Sequence, residues 1–164
     1  SAATMADELG GFEDFFQAER DRLFRALCVI TGSRHEAEDL AQEAFLKVWE
    51  RWDRVGSMED PAGYLHRTAM NTFRNRYRRT LTTLRRSVGF SPPQDVYEVV
   101  EDRQVVSRAL ATLSPRQRAA LVLTEAFGYT AEDAGRMLGI KGSTVRALNF
   151  QARSALKQSR EGRG

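Results

Sequence analysis

Three four-residue signatures constrain this chain most: Ser33-Arg34-His35-Glu36, Ser114-Pro115-Arg116-Gln117 and Thr130-Ala131-Glu132-Asp133. In each, a hydroxyl can accept the backbone N–H three residues on, and in the first two the Glu or Gln can reach back to the cap's own N–H. Each opens a helix. Asp60-Pro61 gives a fourth start, a capping carboxylate before a proline whose missing N–H costs nothing in a first turn. Ahead of them Phe12, Phe16, Leu23, Leu27 and Ile30 recur on one helical face that closes at Thr31-Gly32.

The reading along the chain is therefore helical throughout. A second helix runs from Ser33 to about Trp52, a third from Pro61 to about Arg79, and further helices span 105–113, 114–128, 130–138 and 143–158, with Gly139 turning between the last two. No segment alternates as a strand would, so the fold class is all-α. From Thr80 to Asp102 the periodicity fails: Pro92 and Pro93 break helix, and Asp95, Glu98, Glu101 and Asp102 follow. This predicts two small helical domains, 5–79 and 103–164, joined by a flexible linker over 80–102; residues 1–4, ahead of Met5, read as a remnant of cloning.

Charge divides along the same lines. Residues 1–60 hold 14 acidic and 7 basic side chains, residues 61–86 hold 7 arginines and no acid, and residues 116–164 hold 9 basic against 4 acidic. Two basic segments and one acidic one suit two polyanion contacts and a face that avoids nucleic acid, though a solvated surface accounts for any one cluster alone. With 41% hydrophobic and 29% charged residues and no long apolar run, the chain reads as a soluble, cytoplasmic protein with no membrane insertion. The lone Cys28, within an apolar run, reads as core. Only His35 and His66 are histidines; with no metal-spaced Cys/His cluster, phosphate loop or nucleophile elbow, neither a metal, a cofactor nor catalysis is expected.

Three helical faces carry the functional expectation. On 143–158, Val145, Leu148, Ala152, Ala155 and Leu156 are expected inward, leaving Arg146, Asn149, Phe150, Arg153 and Lys157 outward. Those side chains suit a major groove: arginine forks to guanine, asparagine pairs with adenine, and a phenyl ring meets a thymine methyl. A plain helical hairpin with a charged surface is the alternative. On the third helix Arg67, Asn71, Arg74 and Arg78 share a face, flanked by Phe73 and Tyr77 and opposite Leu65, Ala69 and Thr72. That face suits a single strand held by guanidiniums and stacked on rings, unless the rings are core. On the second helix Ala37, Leu40, Ala41, Ala44 and Val48 face inward, while Asp39, Gln42, Glu43, Leu46 and Glu50, with Trp49 at the border, form an acidic face of protein-interface character or an ordinary solvated one.

The stretches 35–53, 62–79 and 109–156 together resemble regions 2.2, 2.3–2.4 and 4 of bacterial RNA polymerase sigma factors of the extracytoplasmic-function group. The resemblance implies a promoter-specificity subunit, not an enzyme. It maps Asp39, Leu40, Gln42, Glu43 and Phe45, together with Leu46 and Trp49 of the same helix, onto the surface that docks on the β′ clamp helices of core polymerase. It maps Arg67, Asn71, Arg74, Asn75, Arg78 and Arg79 onto the segment that holds the minus-ten element. Asn75 stands where the family often has aspartate. Ser143, Thr144, Arg146, Asn149, Phe150 and Arg153 map onto the reader of the minus-thirty-five element, in a module that also rests on the β flap. Thr144, Val145 and Arg153 keep the family pattern, whereas residues 147–151 depart from it, so the docking geometry carries over and a family promoter sequence does not. An anti-sigma factor covering both modules is a further implied partner. The readings that compete with this one are a free-standing helix-turn-helix regulator and, more distantly, an interaction domain whose basic faces bind RNA.

Overall fold

A computed structural model describes residues 1–83 and 103–162, and among them every regular element is helical. The tether expected between the modules, with its prolines and acidic residues, lies outside the described residues except for 80–83. Helix α1 spans Ala2–Thr31 and takes in residues 2–4; it ends at Gly32, whose φ of 71° lets its N–H return to the Cys28 carbonyl at 2.8 Å. Helix α2 (Arg34–Glu50) starts on Ser33, whose hydroxyl accepts the Glu36 N–H at 3.3 Å. A short α3 (Trp52–Val55) follows. Helix α4 (Pro61–Thr83) is capped by Asp60 Oδ1, which accepts the Gly63 N–H at 3.0 Å.

The second half holds α5 (Arg103–Ala111), α6 (Pro115–Leu121), α7 (Ala131–Leu138) and α8 (Gly142–Glu161). Ser114 and Gln117 form the expected reciprocal cap on α6, and Thr130 caps α7 through the Asp133 N–H. One element was not expected. Residues Val122–Ala126 continue α6 as a π-helical turn, which periodicity at 3.6 residues does not reveal. It carries the chain into Gly128 (φ 76°) and sets Phe127 and Tyr129 against the first half of the molecule.

The two halves share one core. Leu23, Leu27 and Ile30 of α1, Leu40, Ala44 and Val48 of α2, and Leu65, Ala69 and Met70 of α4 form a single buried cluster that continues into Ala119, Leu123, Ala134, Leu138 and Val145. A smaller cluster of Leu110, Leu113 and Ala152 seats α5 on α8.

Directed bonds fix the joint. Arg118, 5% exposed, donates from Nε to the Ile30 carbonyl at 2.9 Å and from Nη1 to the Leu110 and Leu113 carbonyls at 3.1 and 2.5 Å. Arg22 donates to the Ala126 carbonyl at 3.1 Å, its guanidinium 4.5 Å above the Phe127 ring. His66, 2% exposed, stacks on Phe127 at 4.4 Å and shares a 2.7 Å hydrogen bond between Nδ1 and the Tyr129 hydroxyl.

Two outcomes follow from the joint. Replacing Arg118 with alanine takes the buried donor from the Ile30 and Leu113 carbonyls, while the Leu110 carbonyl keeps the Leu113 N–H, and the unfolding free energy in urea should fall by about 3 kcal/mol. Burial, then the Arg22 charge, lower the His66 pKa to about 4, against the opposing pull of Asp60. Between pH 6.5 and about 4 the unfolded chain takes up a proton at this ring that the folded chain refuses, so stability falls as pH falls through that window. The loss amounts to roughly 3 kcal/mol at most. In His66→Gln, urea unfolding measured across the same window should give a visibly shallower slope than in the parent protein.

Candidate nucleic-acid and protein interfaces

Helix α4 turns its apolar side, Leu65, Ala69, Met70, Thr72 and Phe73, into the core. Phe73 therefore anchors the helix and is not a stacking platform; its ring lies 5.8 Å from that of Tyr77, which is half-buried. On the other side Arg67, Asn71, Asn75, Arg78 and Arg79 are exposed. Arg74 is half-buried, donating from Nη1 to Asn71 Oδ1 at 3.1 Å and lying over the α7–α8 turn. Glycine is needed at 139 for its φ of 68°, and a methyl group there would push the Arg74 guanidinium off the turn. Desolvation there lowers the Arg74 pKa, and the positive charges of Arg78 and Arg116 lower it further. The basic face is thus continuous along α4, with its centre under the helix-turn-helix.

Helix α2 separates its expected surface into two layers. Gln42, Leu46 and Trp49 are exposed, the leucine at 55% and the tryptophan at 39%. Leu40 and Phe45 are not: at 2% and 5% exposure they belong to the core. Leu40 follows Ala37 by three residues and precedes Ala44 by four, the spacing of the inward stripe, and Phe45 points at α1, where its ring meets Phe16 edge-on at 4.8 Å. Phe45 still floors a groove of about 900 Å³ between α1 and α2, walled by Phe12, Phe16, Phe24, Leu46 and Trp49. The carboxylates of Asp39 and Glu43 are half-buried and shared with α4, whose Arg76 reaches Glu43 at 3.0 Å and Asp39 at 4.0 Å; within α2, Lys47 reaches Glu43 at 3.5 Å.

Helix α8 exposes Ser143, Arg146, Phe150 and Arg153, the phenyl ring at 72%, with Thr144 half-buried beside them. Asn149 departs from the expectation. It is 6% exposed, and its amide donates to the Thr124 hydroxyl in the π turn at 3.0 Å. Val145, Asn149 and Ala152 stand four and three residues apart, so they form the inward stripe, while Leu148 is only partly buried. The outward arginines meet carboxylates that sequence reasoning passed over: Arg146 pairs with Glu132 of α7 at 2.6 Å, and Arg153 pairs with Glu125 of the π turn. Residues 14 and 28 apart in sequence leave no local signal of such pairs. Arg118, Phe127 and Tyr129 were likewise missed, since each takes a partner, Ile30 or His66, in the other half of the chain.

Among the described residues no group of His, Cys, Asp or Glu could hold a metal ion, and no helix is long and apolar enough to cross a membrane. The molecule thus offers two basic helical faces, one of them the second helix of a helix-turn-helix, and a third face of exposed Leu and Trp beside carboxylates.

Comparison with known proteins joins these faces. Residues 15–82 match the sigma-70 region 2 family and residues 103–156 match sigma-70, region 4. Over 166 residues the chain is 31% identical to the ECF RNA polymerase sigma factor SigM of Mycobacterium tuberculosis, covering 94% of this chain and 80% of that protein. It is also 31% identical over 157 residues to SigE of Mycolicibacterium smegmatis, covering 89% of this chain and 60% of that protein's length. The structure resembles that of the sigma factor RpoE from Bartonella quintana, solved in complex with the anti-sigma factor NepR, with a TM-score of 0.68 and 26% identity over 92% of this chain and 96% of that one. Both halves in order, with relatives matched across them, make this chain a member of the extracytoplasmic-function group of RNA polymerase sigma factors.

Proposed function

We propose that this protein binds core RNA polymerase in the cytoplasm and directs it to promoters as a non-enzymatic specificity subunit. The outer face of α2, with Gln42, Leu46 and Trp49 reinforced by Asp39 and Glu43, docks on the β′ clamp helices; Leu40 and Phe45 act from below by setting the pitch of that helix. Arg67, Asn71, Arg74, Asn75, Arg78 and Arg79 hold the minus-ten element as a single strand, with phosphates on the guanidiniums. Ser143, Thr144, Arg146, Phe150 and Arg153 enter the major groove of the minus-thirty-five element, while Asn149 braces the helix against the π turn. The β flap supports this second module. The single observation that carries the reading is the exposed Leu46 and Trp49 beside carboxylates, on a chain whose other two faces are basic. A free-standing DNA-binding regulator has no use for that face.

The closed joint supports control by a protein partner. Centres of the two promoter elements lie about 25 base pairs apart, roughly 85 Å of duplex at 34 Å per turn. A compact chain of this length has a radius of gyration near 15 Å. The halves must therefore part at Arg118, Arg22 and His66 before both elements are engaged, and an anti-sigma factor acts by keeping them together. The likeness to a sigma factor captured with its anti-sigma factor supports that role.

Leu46→Arg tests the α2 assignment, because this side chain is exposed and its loss leaves the core untouched. The variant should unfold like the parent protein yet yield less than about a tenth of the run-off transcript with core polymerase. Undiminished transcription would remove α2 from the polymerase contact.

A further inference from the structure

The pairing of Arg146 with Glu132 spans the place where the first turns of α7 and α8 come closest to Gly142. To reach Arg146 Nη1 at 2.6 Å, the Glu132 side chain crosses the first turn of α8 at Gly142. A Cβ on residue 142 would stand 2.9 Å from Glu132 Oε1, 3.2 Å from its Cδ and 3.3 Å from its Cα. Gly142 is the first residue of α8, after the Lys141 cap, and its φ is not in the left-handed region that would call for glycine. Of the three contacts only the one to the Glu132 Cα is with backbone, so the small residue lets the first turns of α7 and α8 approach closely. An ion pair between side chains 60% and 57% exposed adds little to stability, so its place on the α8 face calls for another use.

That use follows from the guanidinium's shape. Arginine has five N–H donors in a rigid plane, and a carboxylate on Nη1 leaves the Nε/Nη2 edge to make a bidentate contact with a base. A free arginine on an exposed helix face samples many rotamers and can slide to a phosphate; one held by a carboxylate from α7 loses those alternatives before DNA arrives. Glu132 holds it from the first turn of α7, and its own pKa is lowered chiefly by the hydrogen bond from Arg146. Arg153 repeats the arrangement two turns along the same face, with Glu125 as its partner.

We propose that Glu132 is a positioning residue for base reading: its carboxylate directs the Arg146 guanidinium toward one base pair of the upstream promoter element, and Gly142 keeps the first turns of α7 and α8 close enough for it to reach. This rests on the reading that α8 enters the major groove. The carboxylate also repels phosphate, so the pair trades affinity for discrimination.

The test uses holoenzyme assembled from the full chain and core polymerase, selecting from a promoter library randomised over the upstream element. Arg146→Ala should flatten the preference at one base pair, and Glu132→Ala should reduce it at the same pair by about 10-fold, within the range of one bidentate base contact. The double variant should lose no more than Arg146→Ala alone, Glu132→Gln, which keeps an acceptor oxygen, should retain most of the preference, and Gly142→Ala should behave like Glu132→Ala. Altered preference in Arg146→Ala with none in Glu132→Ala overturns the positioning role while leaving base reading by α8 in place. An equal tightening on every sequence in Glu132→Ala overturns it too, marking the carboxylate as a mere competitor for phosphate. Unchanged preference in Arg146→Ala removes Arg146 from the reading face, and the proposal falls with it.

Discussion

The Arg118 guanidinium organises the rest of the molecule. It is a full charge taken out of water, which costs several kcal/mol unless its donors are met, and it meets them on main-chain carbonyls near the C-terminal ends of two helices. The end of a helix is where unpaired carbonyls collect, so one side chain in α6 serves the end of α1 and the turn that follows α5 at once. Around it the apolar surfaces of both halves close into one core, and the π turn that follows α6 brings Phe127 and Tyr129 onto His66. These contacts are polar and specific at the centre of an otherwise apolar joint. Such a joint has a defined closed geometry, and it can also be replaced by a partner offering equivalent acceptors.

Electrostatics repeat the same theme at smaller scale. Asp39 and Glu43 of the proposed polymerase face are shared with Arg76 of α4, and the outward arginines of α8 rest on Glu132 and Glu125. Acid and base on opposite functional faces are thus held by one another. Exposed pairs of this kind add little to stability individually, so what they contribute is the direction in which each guanidinium or carboxylate points. Arg74, centred in the α4 stripe, lies on the Gly139 turn, so the helix-turn-helix covers part of the basic face in this closed form.

Local chemistry was legible in the sequence to the extent that it acts over a few residues. The caps at Ser33, Asp60, Ser114 and Thr130, and the left-handed glycines at 32, 128 and 139, stand where their hydroxyls, carboxylate and missing side chains demand. Position misled where residue type was allowed to outrank spacing. Asn149 is polar, yet it falls four residues after Val145 and three before Ala152, which is an inward position; the Thr124 hydroxyl that accepts from its amide lies in the π turn, which periodicity does not reveal. Family resemblance places Leu40 and Phe45 on the contact surface, while the spacing of Leu40 with Ala37 and Ala44 assigns it to the core, where both side chains lie. Helix α4 runs to Thr83, past the expected end at Arg79, since nothing in 80–83 breaks a helix. Arg118, Arg22 and Glu132 act on groups far away in the chain, and no periodicity encodes that.

The central claim is that a chain closed by this joint must open to serve as a promoter-specificity subunit. Fluorescence resonance energy transfer between dyes on Ala18→Cys in α1 and Gln158→Cys in α8, both exposed sites, measures that directly, since the native Cys28 is buried and does not label. The account predicts efficient transfer in the free protein and near-complete loss of transfer once core polymerase and promoter DNA are bound, as the halves separate by tens of ångströms. Efficient transfer persisting in a transcriptionally active promoter complex would contradict it.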